Sequence, residues 1–126
     1  MLKALVVEDE EDIKQLLLEE LEDKGYEVLL ADDGEAALQR LSQEIPDIMF
    51  VDVYMPVMDG LELIARIKGD PATARIPVVM VTVMNALATE KKARELGVEH
   101  YLTKPWESGE LDLILDQVFK LDSQRW

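Results

Sequence analysis

The sequence predicts an α/β fold: a doubly wound sheet of five parallel strands with helices on both faces. Short apolar runs, typical of buried strands, alternate five times with segments whose apolar residues recur at helical spacing. Parallel strands joined by right-handed helical crossovers form such a sheet. Turn residues separate the runs, and 126 residues with 48% hydrophobic content suit one compact domain.

The first half of the chain contains two strand–helix units. A strand is predicted over residues 2–7, and the acidic run 8–12 suits the positive end of the following helix dipole. Gly25 indicates the end of that helix, because glycine tolerates the left-handed conformation found there. A second strand is predicted over 26–31, with a turn at 32–34. The first two helices are marked by Ile13, Leu16, Leu17 and Leu21, and by Ala37, Leu38 and Leu41.

The second half repeats this alternation. Pro77 precedes a fourth strand over 78–83, and a fourth helix is predicted over 86–96. The apolar stripe of that helix is weak, so we expect it to be the least firmly packed. A short fifth strand contains Tyr101 and Leu102. The third and last helices are marked by Leu61, Ile64 and Ile67, and by Leu111, Ile114, Leu115 and Val118.

The third strand ends in an aspartate. The apolar run 48–51 is typical of a strand buried on both faces, and Asp52 follows it directly. Ligands of open α/β sheets bind beyond the carboxyl ends of the strands. An aspartate there could be a nucleophile, a metal ligand or a helix cap. Asp59, just before Gly60 and the next helix, is the better cap candidate, which leaves Asp52 for chemistry.

Charge and composition exclude several classes of function. The formal net charge is −14, so direct binding to nucleic acid or to an anionic membrane is not expected, whereas a cation or a basic partner is. The absence of cysteine excludes disulfides and thiolate chemistry. The N-terminus has no signal-peptide layout, and no apolar run is long enough to span a membrane. We therefore expect a cytoplasmic protein.

Polar residues at the ends of four strands form a chemically coherent set. Glu8-Asp9, Asp52, Thr82 and Lys104 follow or end successive strands, so a doubly wound sheet collects them at one edge. Three carboxylates brought together repel one another, and Mg²⁺ would remove that repulsion. With an ammonium and a hydroxyl nearby, the set suits phosphoryl transfer to Asp52.

These residues resemble, in order and spacing, the response regulator receiver domain of bacterial two-component signalling, of the chemotaxis-regulator type. The motifs are Glu8-Asp9, Asp52 with Met55-Pro56 and Asp59-Gly60, Thr82, and Lys104-Pro105. The resemblance implies a flavodoxin-like strand order 2-1-3-4-5, a receiver domain over 1–121 and a polar tail over 122–126. It also implies a switch that catalyses only its own phosphorylation and dephosphorylation, rather than an enzyme.

The resemblance further implies the chemistry of the site. Asp52 would take a phosphoryl group from a phosphohistidine on a sensor histidine kinase or a histidine phosphotransfer protein, and Lys104 and Thr82 would bind that group. Asp9 and Asp52 would bind Mg²⁺ directly, the Tyr54 backbone carbonyl would complete the protein ligands, and Glu8 would bind through water. Mn²⁺ is expected to substitute for Mg²⁺.

The resemblance also implies a switch and a lid. Thr82 and Tyr101 would be the switch pair, with a cis peptide at Lys104-Pro105 and a downstream protein target bound by the fourth helix, fifth strand and last helix. Tyr54 and Met84 would lie beside the path of the hydrolytic water. Val83 stands where small residues are common in the family and would crowd the same region.

Other distinctive residues are assigned structural roles. Trp106 is expected to be an apolar anchor, and His100, the single histidine of the sequence, is expected to be exposed and without chemistry. Most methionines are expected to pack in the core, namely Met49, Met55, Met58, Met80 and Met84.

Three other functions fit the sequence less well. A receiver-fold scaffold that binds a partner without phosphorylation would not need the intact polar set. A Mg²⁺-dependent phosphatase similar to haloacid dehalogenases would need a second aspartate two positions after the first, where this chain has Tyr54. A flavin-binding flavodoxin would need a hydroxyl-rich phosphate loop, and the acidic run 8–12 would repel the phosphate.

Overall fold

The computed structural model describes residues 1–55, 58–83, 87–107 and 109–119. Five parallel strands form one sheet in the order β2-β1-β3-β4-β5, as the resemblance implies. In chain order the elements are β1 (Lys3–Val7), α1 (Glu11–Asp23), β2 (Glu27–Ala31), α2 (Gly34–Gln43), β3 (Ile48–Asp52), α3 (Gly60–Gly69), β4 (Val78–Val83), α4 (Leu87–Glu95), β5 (His100–Lys104) and α5 (Glu110–Phe119).

The central strand β3 is buried along its whole length, as its apolar sequence predicts. Alternate residues of the sheet face two separate cores, because side chains of a strand alternate between faces. One core lies between the sheet and α2, α3 and α4, and includes Leu5, Met49 and Ile64. The other lies between the sheet and α1 and α5, and includes Phe50 and Leu17. Helices therefore cover both faces of the sheet.

Side chains and glycines set the element boundaries. Asp33 and Asp59 cap α2 and α3, accepting hydrogen bonds from the backbone N–H groups of Ala36 at 2.8 Å and Glu62 at 2.9 Å. The Asp59 cap was predicted, and of the turn predicted over 32–34, Asp32 and Asp33 precede α2 while Gly34 is its first residue. Gly25 follows α1 in the left-handed region, with φ +91°.

The fourth helix is the most lightly anchored. Among its described residues only Ala93 is buried, as the weak apolar stripe predicts. Its predicted first residue, Ala86, lies outside the described residues, as do Met84 and the tail 122–126. Within the described ranges, the structure has no helix both long and apolar enough to cross a lipid bilayer.

Candidate functional site

Three carboxylates meet at the carboxyl edge of the sheet. Glu8 and Asp9 directly follow β1, and Asp52 ends the neighbouring strand β3. Val7 and Val51 are paired in register, so the two strand ends lie side by side. Carboxylate oxygens of these three residues lie within 4.8 Å of one another. Glu8 is 1% exposed and Asp52 4% exposed, while Asp9 faces solvent. The sheet thus brings together the acidic residues that the sequence singled out.

Lys104, the last residue of β5, reaches into this acidic cluster. Its Nζ atom lies 3.0 Å from Glu8 Oε1 and 3.5 Å from Asp52 Oδ1, with Glu10 Oε1 at 3.7 Å. Burial lowers the pKa of Lys104, but the carboxylates of Glu8, Asp52 and Glu10 outweigh burial and raise it above its ordinary value. The side chain is therefore a fixed positive charge beside Asp52.

The Glu8 carboxyl has a raised pKa. Burial and the adjacent Asp52 raise its pKa to about 7, although Lys104 and the Glu10 backbone N–H favour the charged form. Glu8 Oε1 is buried without a hydrogen bond to any described residue, since the 3.0 Å approach of Lys104 is not aligned as one. Lys104 is shared with Asp52 and Glu10, so its single positive charge does not balance the carboxylates around it.

The donor set fits a divalent cation. Hard cations such as Mg²⁺ and Mn²⁺ prefer oxygen ligands, and Glu8, Asp9 and Asp52 supply carboxylate oxygens only. A hydrated ion would also give the buried Glu8 Oε1 a donor and would offset the like charges. These residues could therefore hold a metal ion together.

The loop after β3 is held close to the site. The Tyr54 backbone N–H donates to Asp52 Oδ1 at 3.2 Å, which orients that carboxylate. Gly60 at the start of α3 donates from its N–H to the Val53 carbonyl at 2.8 Å. A Cβ atom on Gly60 would lie 2.3 Å from the Asp52 carbonyl oxygen, so only glycine permits this approach of α3. The family motif contained Gly60, but its steric role was missed because it depends on this tertiary contact.

Thr82 and Tyr101 lie on the same face of adjacent strands. Met80 pairs with Tyr101 and Thr82 with Thr103, which makes Thr82 and Tyr101 diagonal neighbours. Thr82 is buried, and its hydroxyl makes one long contact, 3.4 Å to the Val83 carbonyl. The Tyr101 hydroxyl donates to the Val98 carbonyl at 2.9 Å.

Tyr101 connects β5 to α4. The Arg94 guanidinium of α4 lies over its ring, 5.6 Å from the ring centroid, and its hydroxyl is 3.4 Å from the Glu90 carbonyl. The ring also packs against the core that contains Ala93. Movement of Tyr101 would therefore disturb several of the contacts that hold α4.

Two residues of the predicted lid have exposed side chains. Tyr54 is 58% exposed and Val83 is 45% exposed. Tyr54 lies two residues after Asp52 at the end of β3, and Val83 is the last residue of β4, directly after Thr82. Met84 is outside the described residues. Solvent therefore reaches Tyr54 and Val83 in this structure.

The residues around β5 include one confirmed and one wrong prediction. Trp106 is a buried anchor in the core under α1 and α5, and its indole N–H also donates to Glu20 Oε2 at 3.0 Å. His100 was expected to be exposed, but it is half-buried with a buried Nδ1. Because His100 begins β5 and pairs with Val79, the sheet and the end of α5 near Val118 cover part of it. The peptide bond between Lys104 and Pro105 is cis.

Comparison with known proteins agrees with this geometry. The family model described as the response regulator receiver domain matches residues 4–116. Protein PilG of Pseudomonas aeruginosa is 36% identical over 110 residues, which cover 87% of this chain and 82% of PilG. The alkaline phosphatase synthesis transcriptional regulatory protein PhoP of Bacillus subtilis is 37% identical over 110 residues.

The matched lengths differ between relatives. The PhoP match covers 87% of this chain but 45% of PhoP, so the chain spans less than half of that regulator. Among solved structures, the receiver domain of the sensor histidine kinase PA1611 from Pseudomonas aeruginosa PAO1 has a TM-score of 0.86 at 26% identity. That similarity covers 94% of this chain and 98% of the PA1611 domain. With the 2-1-3-4-5 sheet and the family match over residues 4–116, this chain belongs to the response regulator receiver domains of two-component signalling.

Proposed function

We propose that this chain is a phosphoacceptor switch, in which Asp52 takes a phosphoryl group from a phosphohistidine on a sensor histidine kinase or a histidine phosphotransfer protein. The observation that carries the proposal is the position of Lys104, whose Nζ lies 3.5 Å from Asp52 Oδ1 beside the carboxylate cluster. This ammonium stands where the phosphoryl oxygens would arrive, and it would offset their charge.

In the proposed reaction, an Asp52 carboxylate oxygen attacks phosphorus. An O–P bond forms as the P–N bond to the donor imidazole breaks, and the electron pair stays on the imidazole nitrogen, which takes up a proton. Lys104 Nζ donates a hydrogen bond to one phosphoryl oxygen. The Thr82 hydroxyl, with only a 3.4 Å contact among described residues, can donate to another. The chain would catalyse two reactions on itself: phosphorylation of Asp52, and hydrolysis of the aspartyl phosphate, which restores the carboxylate and releases inorganic phosphate.

We propose Mg²⁺ as the cation of the site, with Mn²⁺ as a substitute. Asp9, Asp52 and the Tyr54 backbone carbonyl would be direct ligands, and Glu8 would bind through water. When bound, the cation would offset negative charge on the phosphoryl oxygens. Two observations support this assignment: the carboxylate oxygens of Glu8, Asp9 and Asp52, which lie within 4.8 Å of one another, and the magnesium ion coordinated in the active site cleft of the PA1611 receiver domain.

Signal output would follow from Thr82 and Tyr101. Thr82 would move toward the phosphoryl group and Tyr101 would fill the vacated space, which biases a two-state equilibrium. α4, β5 and α5 would then bind a downstream protein. The shared face of Thr82 and Tyr101 and the light anchoring of α4 support this route. Because the net charge is −14, we propose that the chain makes no direct contact with nucleic acid or membrane. We also propose a cytoplasmic location.

The signal would be lost slowly. Tyr54 and Met84 would flank the approach of water to phosphorus, and Val83 would crowd it. None of these side chains is a strong base, so they would not activate the water. A phosphoryl group on Asp52 would therefore be lost slowly, because none of the three side chains positions or activates the hydrolytic water.

Incubation with acetyl phosphate and Mg²⁺, followed by intact-mass spectrometry, tests the proposal. We expect one phosphoryl adduct, stable in acid and labile in base, that requires Mg²⁺ and is absent from Asp52→Asn. Asp59→Asn is the matched control, because it makes the same chemical change seven positions away and asparagine also caps helices. An Asp52→Asn protein that takes up phosphate at the parent rate would overturn the proposal.

A further inference from the structure

A second polar pocket lies at the opposite edge of the sheet, where β4 and β5 begin. It has a volume of about 250 Å³ and is lined by Lys68, Arg75, Glu99 and His100, with Val78 and Val118 as apolar walls. β5 begins at His100 and ends at Lys104. At the rise of an extended strand, those two residues are about 13 Å apart, so the pocket is separate from the phosphoacceptor site.

Two cations of this pocket form no salt bridge in the described part of the chain. The sequence has 27 acidic and 13 basic residues, yet neither Lys68 nor Arg75 forms a salt bridge within the described ranges. Lys68 Nζ lies 3.4 Å from the carbonyl oxygens of Ala74 and Ile76, which is long for a hydrogen bond. Burial lowers the pKa of Lys68, and the charge of Glu99 acts against that shift without reversing it.

The His100 ring is a third polar group of the pocket, besides Lys68 and Arg75. Its Nδ1 atom is buried and has no hydrogen-bond partner in the described part of the chain. Glu8 Oε1 is the other side-chain atom found in that state, and it lies in the acidic cluster. Buried polar atoms without partners are rare and call for a specific explanation, such as a bound ion or ligand. Both of these atoms belong to residues that line a polar site.

We propose that this pocket binds a small oxyanion of the phosphate class, held by the Lys68 ammonium, the Arg75 guanidinium and the His100 ring. A guanidinium can offer two parallel N–H donors to such an anion, and an ammonium supplies a compact charge. Glu99 lines the same pocket and repels an anion, so it would limit the affinity. The pocket would give the domain a ligand input that is independent of phosphorylation.

The test is a phosphate titration followed by NMR. The sequence has one histidine, so the His100 ring signals are unambiguous. Inorganic phosphate is added in EDTA, without Mg²⁺, at constant pH and at an ionic strength fixed with sodium chloride. We expect a saturable shift of the His100 signals. Lys68→Gln and Arg75→Gln should each weaken binding roughly tenfold, the effect of losing one charge-assisted hydrogen bond.

Two further variants sharpen the result. Glu99→Gln should tighten binding by about two- to fivefold, because it removes a repulsive charge at an exposed position. Arg66→Gln is the matched control: Arg66 is an exposed residue of α3 paired with Glu62, and its loss should leave the affinity unchanged. Arg75 is exposed, so Arg75→Gln tests the site even if Lys68→Gln folds poorly. Equal affinity in parent and Arg75→Gln, or an equal shift with chloride alone, would overturn the proposal.

Discussion

At the scale of single residues, opposing effects act on the pKa of the Glu8 carboxyl. Burial and the neighbouring Asp52 raise its pKa from 4.5 to about 7, despite the opposing effect of Lys104. A carboxyl whose pKa is higher in the folded state stabilises that state fully below the unfolded pKa. The contribution is lost as the pH rises through the folded pKa.

The first prediction concerns the metal-free protein. In EDTA, the free energy of unfolding should fall between about pH 5 and about pH 8 by roughly 1–3 kcal/mol more in the parent than in Glu8→Gln. Glutamine keeps the shape of the side chain and cannot ionise. Urea denaturation at several pH values measures both slopes. Equal pH dependence of the unfolding free energy in the two proteins would contradict the raised pKa of Glu8.

Mg²⁺ provides the control for that experiment. An ion that binds only the folded state stabilises that state, and a bound cation favours the charged form of its carboxylate ligands. At about pH 8, millimolar Mg²⁺ should raise the melting temperature of the parent, and Asp9→Ala should abolish the rise. Superimposable melting curves with and without Mg²⁺ would count against a preformed metal site.

The lifetime of the phosphoryl group is the second prediction at this scale. Replacing Tyr54 and Met84 by polar residues that can position water should speed hydrolysis, since that rate depends mainly on geometry. The double variant Tyr54→Asn with Met84→Glu should lose phosphate about tenfold faster than the parent, or about 1.4 kcal/mol of barrier. Decay of the phosphorylated proteins in Mg²⁺ buffer measures this. Equal decay rates in the parent and the double variant would show that these side chains do not slow hydrolysis, but Asp52 would still be the expected acceptor.

At the scale of elements, the start of α3 fixes the loop that carries the site. Asp59 caps the helix, and the Gly60 N–H bonds the Val53 carbonyl. A side chain at Gly60 would meet the Asp52 backbone at 2.3 Å, and backbone atoms cannot move aside cheaply. The position of α3 is therefore coupled to the position of Asp52.

Gly60→Ala should reveal this coupling as the third prediction. We expect a loss of about 1–3 kcal/mol of unfolding free energy, together with slower phosphorylation, because the loop after β3 must shift. Gly69→Ala, at the other end of α3, meets nothing within 4 Å and is the control. It should be neutral or stabilising by up to about 1 kcal/mol. A Gly60→Ala protein as stable as the control would refute the close-approach argument.

The elements also show what the sequence could predict. β3 was predictable because an unbroken apolar run leaves few alternatives, and Asp59 because a cap acts locally. β5 was expected to be short, yet it extends to Lys104, since pairing with β4 recruits polar residues that local patterns do not mark. The burial of His100 was missed for the same reason: it depends on packing between distant segments.

At the scale of the whole molecule, the two sides of the sheet are fastened unequally. Trp106, in the segment between β5 and α5, donates to Glu20 of α1, and Lys24 just after α1 forms an ion pair with Asp112 of α5 at 2.5 Å. These contacts tie α1 to α5 and to the segment that precedes it. The side with α4 has weaker anchors, namely Ala93 and the contacts of Tyr101 with Glu90 and Arg94. A change at the phosphoacceptor should therefore propagate toward α4 and β5.

The fourth prediction follows from this asymmetry. Beryllofluoride, standing in for the phosphoryl group, should shift amide NMR signals across α4 and β5, residues 87–104, in the presence of Mg²⁺. Signals of α1 beyond its first turn should move far less, because these contacts tie α1 to α5 and to the segment that precedes it rather than to β5. Shifts restricted to the loops around Asp9 and Asp52 would refute coupling through Thr82 and Tyr101.

The site as a whole was more predictable than its electrostatics. The order of the motifs indicated which side chains the sheet brings to one edge, and Glu8, Asp9, Asp52 and Lys104 do meet there. The pKa of Glu8 and the 3.5 Å separation between Lys104 and Asp52 depend on burial and packing, which the motifs do not specify. The pocket at the other edge has no motif, because four separate segments build it.

Reductive trapping of the phosphorylated protein tests the central claim most directly. Borohydride reduces an aspartyl phosphate to homoserine, and peptide mass spectrometry then identifies the modified residue. After incubation with acetyl phosphate and Mg²⁺, homoserine should replace Asp52 alone, and EDTA should prevent the change. Homoserine at Asp9 or at another acidic residue, with Asp52 intact, would contradict the account.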